Sequence, residues 1–335
     1  MKNIKASAVA EGAVIAALTV LLLVLALYLP LFSIFSLFFA GIPIAYLSIK
    51  HPPGIAVLSA LAALLVLFII TGNIVSVIMM GVVQLLPGLV LGFCFLKNTS
   101  FYKTLGFVSI TVAAGMLLDL LIINFSAGGH GIEDMINSML QSIEQMLVSF
   151  ADKMQAMNAD TGQDLHSAVK DLVSIAETMI RTFIPTFVII VSMCTGYIIY
   201  MASVFILHRV DRNFKIDYVP FSNLKAPKSM CYTVILLFLV VTFTSSEDVL
   251  TAALSNMVVI MYFFIGVCGL SFLDAKLKNK ISSGYLRFAI YAGIFLFGYF
   301  FISFIGNVLI LIGLADGVMD FRHIKKRGEG HVDGK

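Results

Sequence analysis

Charge is scarce in this 335-residue chain: Lys, Arg, Asp and Glu make up only 12% of it, against roughly a quarter of an ordinary soluble domain. With 60% hydrophobic residues and a mean hydropathy of +1.01, a water-soluble fold is excluded. The few charges are also segregated. None lies between Glu11 and Lys50, between Lys50 and Lys97, between Arg181 and Arg209, or between Arg287 and Asp316. Such gaps are what a hydrocarbon core about 30 Å thick demands of helices rising about 1.5 Å per residue. Barrel strands would alternate over about ten residues, so the spans are helices.

Cysteine is equally sparse. Cys94, Cys194, Cys231 and Cys268 fall singly in apolar runs, without the paired spacing that zinc or redox chemistry uses, and read as packing residues. The chain lacks a phosphate-cradling Gly-x-x-x-x-Gly-Lys-Ser/Thr loop, a nucleophile elbow and a His-Glu-x-x-His pair. His130 and His166 stand apart from any ligand-spaced cluster. No catalytic residue, metal or cofactor is therefore expected, and a motor for energised transport would have to be another chain. The net charge of +3 comes from basic residues scattered over short loops, which gives no nucleic-acid stripe.

Apolar runs begin at Val9–Leu29, Ile34–Ile49 with Gly41 and Pro43 inside, Gly54–Thr71, Ile74–Leu96 with Gly81, Pro87, Gly88 and Gly92 inside, and Lys103–Phe125. Lys2 and Lys5 before the first run resemble a signal peptide, but the run lacks a small-residue cleavage site and is expected to stay as an anchor. A polar stretch follows, with eight acidic and three basic residues from Ser126 to Arg181. Within it Ile132, Ile136, Met139, Ile143, Met146, Phe150, Met154 and Met157 recur at helical spacing; Thr161-Gly162 breaks the pattern, and Leu165 to Ile180 carry a second stripe. Later runs are Phe183–Leu207, Met230–Phe243, Val249–Leu273 and Leu286–Leu314.

The expected fold is thus all-α: a polytopic transmembrane helix bundle of about eight to ten spans with an extracytoplasmic amphipathic helical pair. Its parts are residues 1–125 (helices 1 to 5), 126–182 (the helical insertion), 183–208 (helix 6), 209–228 (a basic cytoplasmic loop), 229–321 (C-terminal helices) and 322–335 (a polar tail). Lys and Arg gather on alternate turns, which places the N-terminus in the cytoplasm. A single last span would put Arg322, Lys325, Lys326 and Arg327 outside, so the long final run is read as a broken element or hairpin, with Gly306-Asn307 near its middle.

Asp119 is the clear ionisable residue within a span, with Asn124 one turn further on a nearby face. It is placed to receive a cationic group or proton from outside, or to serve as a polar helix contact near the interface. Asn73, Gln84 and Asn256 are lone polar residues at or within apolar segments, either solute-binding or tying helices together. Gly12 with Ala16 and Ala13 with Ala17 form overlapping small-residue pairs that let a neighbouring helix or a partner approach. Glu11 opens the first helix, where the helix dipole favours a carboxylate.

The C-terminal run Ile312-Gly313-Leu314-Ala315-Asp316-Gly317-Val318-Met319-Asp320-Phe321-Arg322 resembles the closing signature of the YybS-like family of uncharacterised bacterial membrane proteins. The Glu11–Leu18 opening, the Asn256 helix running to Gly269, and Pro220 with the basic segment after it agree with that family. Asn256, Asp316, Asp320 and Arg322 are read as its structural signature, with Asp320 capping or pairing and Arg322 on lipid headgroups. The first six spans also resemble the substrate-binding subunits of energy-coupling-factor vitamin transporters, through the Ala-rich first helix, Pro43-Ile44 and Pro87-Gly88. That resemblance implies a pocket near Asp119 and Asn124, with Asn73 a further candidate. It also implies a first helix that docks a transmembrane partner, and separate ATPase subunits. The outer pair and the spans after Arg209 depart from it. Two functions follow: a subunit for small-metabolite uptake in a bacterial cytoplasmic membrane, or a non-transporting scaffold that recruits other proteins there.

Overall fold

The computed structural model describes residues 6–157, 165–211, 214, 216, 219–244, 249–278, 280–281, 283–297 and 302–322. The Thr161-Gly162 break, Arg212 and Lys215 of the basic loop, and Lys325, Lys326 and Arg327 of the tail lie outside them. Among the described residues there is no strand. Seven helices among those residues are long and apolar enough to cross a membrane, and two shorter apolar helices follow the same composition. Large apolar side chains point away from the protein along these helices: Val14 is 68% exposed, Ile69 80% and Ile110 67%. Water would penalise such a surface, whereas lipid is its natural solvent.

The chain divides into two compact units, Met1–Asp217 and Tyr218–Lys335. The first contains α1 (Ala6–Tyr28), α2 (Pro30–Phe39), α3 (Ile42–Lys50), α4 (Pro53–Thr71), α5 (Ile74–Met80), a π-helical turn (Gly81–Leu85), α6 (Leu86–Leu96), α7 (Phe101–Ser126), α8 (Gly131–Met157) and α9 (Leu165–Val210). Close crossings hold the spans together where small residues permit them. A Cβ on Gly12 would come within 2.8 Å of Ser59 Oγ, so α1 lies against α4; one on Gly92 would come within 2.8 Å of Ala45 backbone, so α6 lies against α3. Glu11 is tied to the turn after α3 by Lys50 Nζ at 2.5 Å and His51 Nε2 at 2.8 Å, a more specific role than the dipole contact its position suggested. At the same border, Tyr200 of α9 packs edge-on against Phe95 and Phe101, which clamps the ends of α6 and α7 to α9.

The outer helical pair is not separate from the sixth span. The second amphipathic stripe and the following apolar run form one 46-residue helix, α9, with Pro185 inside it. At about 1.5 Å per residue it is some 69 Å long, more than twice the hydrocarbon thickness. The 27-residue α8 lies against its projecting part: Ile136, Leu140, Ala151 and Val169 are buried, and Arg181 makes a two-pronged ion pair with Glu133 while also bonding Glu177. The Arg181 hydrogen bonds hold the Glu133 carboxyl below the ordinary glutamate range.

The second unit contains a short 3-10 turn (Phe221–Asn223), α10 (Lys228–Phe243), α11 (Val249–Lys278), α12 (Gly284–Phe297) and α13 (Ile302–Met319). The long final apolar run is therefore two helices. Gly306-Asn307 lies inside α13 and not at the break, because a glycine and an asparagine in lipid still form their helical hydrogen bonds where neighbouring turns demand them. α11 and α13 cross with backbones in contact: a Cβ on Gly269 would sit 2.0 Å from Leu309 O, and one on Gly313 2.1 Å from Ile265 O. Further along both helices Phe272 meets Phe321. The two helices thus run in the same direction, and α13 ends at the border where α11 ends and α10 begins.

Candidate functional site

Two interrupted spans cross at their interruptions. The helix that begins at Pro30 breaks after Phe39 and resumes at Ile42, because Pro43 cannot donate a backbone hydrogen bond. The helix that begins at Ile74 widens into the π turn Gly81–Leu85, where Leu86 N donates to Gly81 O, and Pro87 follows. Gly41 and Gly88 face each other at these points: a Cβ on Gly88 would lie 2.2 Å from Gly41 O, and one on Gly41 2.8 Å from Gln84 O. Both breaks fall near the middle of spans of 21 and 23 residues, hence near the bilayer midplane. Irregular backbone at that depth is tolerated where protein or a cavity covers it, and π turns are frequent at functional sites.

Gln84 stands in this π turn, and its Oε1 is buried with no hydrogen-bond partner among the described residues. An unmet acceptor at the midplane is costly and invites a donor. On α7, Gly115 packs against Val82 and Val83. Asp119 is one turn further along the same helix face, about 6 Å beyond the π turn. Its side chain is exposed and makes no ion pair or hydrogen bond with a described residue.

The other two predicted solute contacts serve the backbone. Asn73 caps α5, its Oδ1 accepting from Val75 N at 3.0 Å and Ser76 N at 3.2 Å. Asn124 Oδ1 accepts from Ile132 N at 3.5 Å, next to a Gly128-Gly129 turn with left-handed φ values of 68° and 95°. The π turn itself was not legible: Gln84 read as one more lone polar residue, and the glycines and Pro87 around it were the signal.

The four small residues of α1 divide by face. Gly12 and Ala16 are buried against α4, whereas Ala13 and Ala17 are exposed. Only the second pair is left for a partner.

In the second unit, Arg322 is the centre of a buried polar cluster. Its Nε and Nη2 donate to Asp316 Oδ2 at 2.9 and 2.6 Å, Nη1 to Ser222 O at 2.7 Å and Ser271 Oγ at 3.0 Å, and Nη2 to Leu224 O at 2.8 Å. The Arg322 and Asp316 side chains are 6% and 2% exposed. The guanidinium is thus not a headgroup anchor, which is a correction to its predicted role: it fastens the segment before α10 to the ends of α11 and α13. Asp320 pairs with Lys225, at a left-handed φ of 53°. Asn256 donates to Ala252 O one turn back in α11 at 2.8 Å. A second cluster went unread in the sequence: Asp274 receives the Tyr291 hydroxyl at 3.1 Å and lies 3.2 Å from Arg287 Nε. A lone acid one turn before the Lys276-Lys278 end of an apolar helix was its only signal.

Among the described residues no group of three or more His, Cys, Asp or Glu is arranged to hold a metal; the His166 side chain lies outside them. No curated protein and no solved structure matches the chain significantly. The sequence does match, over residues 17–317, a family described as predicted membrane protein. The crossing spans, the lipid-facing apolar surface and that match over most of the chain agree: the protein is an integral membrane protein belonging to the DUF2232 family.

Proposed function

We propose that the chain is a membrane-embedded component of small-solute uptake that relies on separate ATPase subunits and performs no chemistry of its own. The observation that supports this most is the crossing of two interrupted spans at Gly41 and Gly88 beside Gln84. Discontinuous helices meeting near the midplane are where transporters hold their solutes. Asp119, one turn away and open, supplies a carboxylate suited to a cationic group. The exposed Ala13 and Ala17 offer the first helix to a transmembrane partner. The basic borders suit a bacterial cytoplasmic membrane with the N-terminus inside. The end of α13 then faces the inside as well, since Asp320 just after it pairs with Lys225 of the basic segment. The YybS-like and energy-coupling-factor resemblances belong to this reading.

A scaffold role is favoured by a different observation. α8 exposes Met135, Met139, Met146, Phe150 and Met154 at helical spacing, an adaptable apolar face for another protein. A thermal-shift screen of the purified chain against a vitamin and metabolite panel separates the two. Uptake requires at least one stabilising compound whose effect falls in Asp119→Asn or Gln84→Leu. A silent panel together with stable co-purification of a non-ATPase partner refutes uptake in favour of scaffolding.

A further inference from the structure

A cleft of about 480 Å³ opens on the first unit between the end of the π turn and the end of α6, lined by Ser48 and Pro53 at the α3–α4 turn, Val57 of α4, residues of α6 between Leu86 and Cys94, Lys97 just after α6, and Phe107 of α7. Its walls are almost wholly carbon. Lys97, where α6 ends, stands at the membrane border with its ammonium 4.4 Å over the Phe93 ring. Lys50 of the neighbouring turn is neutralised by Glu11, whereas Lys97 has no carboxylate partner among the described residues. Thr99 is also occupied, its hydroxyl 3.1 Å from Cys94 O and 2.6 Å from Thr104 Oγ1.

From Lys97 to Leu86 the cleft descends eleven residues of helix, about 16 Å, which is the depth of one leaflet in a core of about 30 Å. An unpaired cation at headgroup level above an apolar slot one leaflet deep matches one class of molecule. We propose that this cleft holds an acyl chain of an anionic glycerophospholipid, with the phosphate resting on the Lys97 ammonium. The contact is electrostatic at the mouth and dispersive below, so the headgroup sets the preference and the slot sets the retention.

The test is native mass spectrometry of the full chain in detergent, back-titrated with dioleoyl phosphatidylglycerol, dioleoyl phosphatidylcholine, or inorganic phosphate. Phosphatidylglycerol should be retained about five-fold better than phosphatidylcholine, the size of one lysine contact at a membrane surface. Lys97→Gln should erase that preference while Lys278→Gln keeps it, and Val57→Phe, which fills the slot, should lower retention of both lipids. The proposal is overturned if Lys97→Gln behaves like Lys278→Gln, or if Val57→Phe retains both lipids as the parent does. Loss of the lipid preference to millimolar inorganic phosphate marks a free-anion site and overturns it equally.

Discussion

Replacing Arg322 by Met should be among the most damaging single changes in the second unit. The substitution keeps most of the side-chain volume but removes five donated hydrogen bonds to four acceptor groups. It strands the Asp316 carboxylate, 2% exposed, without its counter-charge, and Asp316 Oδ1 already lacks a partner among the described residues. Breaking a buried pair from one side costs about 3–5 kcal/mol. The Leu224 carbonyl keeps the Ser271 hydroxyl at 2.8 Å, but that of Ser222 loses its donor, at a cost of roughly 1–3 kcal/mol if water cannot reach it. At about 2–4 °C of melting temperature per kcal/mol, the single variant should melt on the order of 10 °C below the parent. Adding Asp316→Leu removes the stranded charge and should recover most of that loss, leaving only the carbonyl deficit. Because the chain has no tryptophan, the assay is a thiol-reactive dye in a Cys94→Ala, Cys194→Ala background. Cys231 and Cys268, buried in the second unit, then report its unfolding alone. A single variant that melts within about 2 °C of the parent, or a double variant no better than the single, refutes the reasoning.

Other outcomes follow from the same contacts. Gly88→Ala and Gly269→Ala force a Cβ to 2.2 and 2.0 Å from backbone oxygen and should each cost about 1–3 kcal/mol, whereas Gly106→Ala meets open space and should be neutral or stabilising. The Gly269 change is read in the same melts, the two first-unit changes in melts reported by the buried Cys94 with the other three cysteines replaced by Ala. Asn73→Ala removes the α5 cap and should cost about 1 kcal/mol, with Asn73→Asp close to the parent. Glu133 is held in its charged form by Arg181, so the stability it adds is present above the ordinary glutamate range and fades as pH falls through its lowered value. A spin label at Ser142→Cys, in a Cys194→Ala background, should therefore gain mobility in that acidic window, sooner at high salt. Glu133→Gln should show the mobility already at neutral pH, and an unchanged pH profile in that variant would refute the assignment.

Much of the architecture was legible because a span is a local property. Gaps such as Glu11 to Lys50 announce helices whatever packs beside them, and the amphipathic stripe from Ile132 to Met157 became α8. The merger of the second stripe with the next span escaped the reading, because a change of solvent along α9 alters composition without interrupting its helix. Site residues were less legible. Asn73 and Asn124 share their side-chain chemistry with ligand contacts but spend it on helix ends, and nothing local distinguishes the two uses. Gln84 looked no different from them until the π turn and the facing Gly41 were seen together.

Composition and charge spacing by themselves determined that the protein lives in lipid as a helix bundle, since unmet backbone groups and lone charges are costly there whatever the tertiary arrangement. Only the tertiary structure decided which small residues are spent on internal crossings: Gly12 and Ala16 face α4 while Ala13 and Ala17 remain open. It also decided that Arg322 reaches carbonyls about a hundred residues earlier instead of the headgroups. Contacts between distant segments depend on how whole helices pack, and no local pattern encodes the partner.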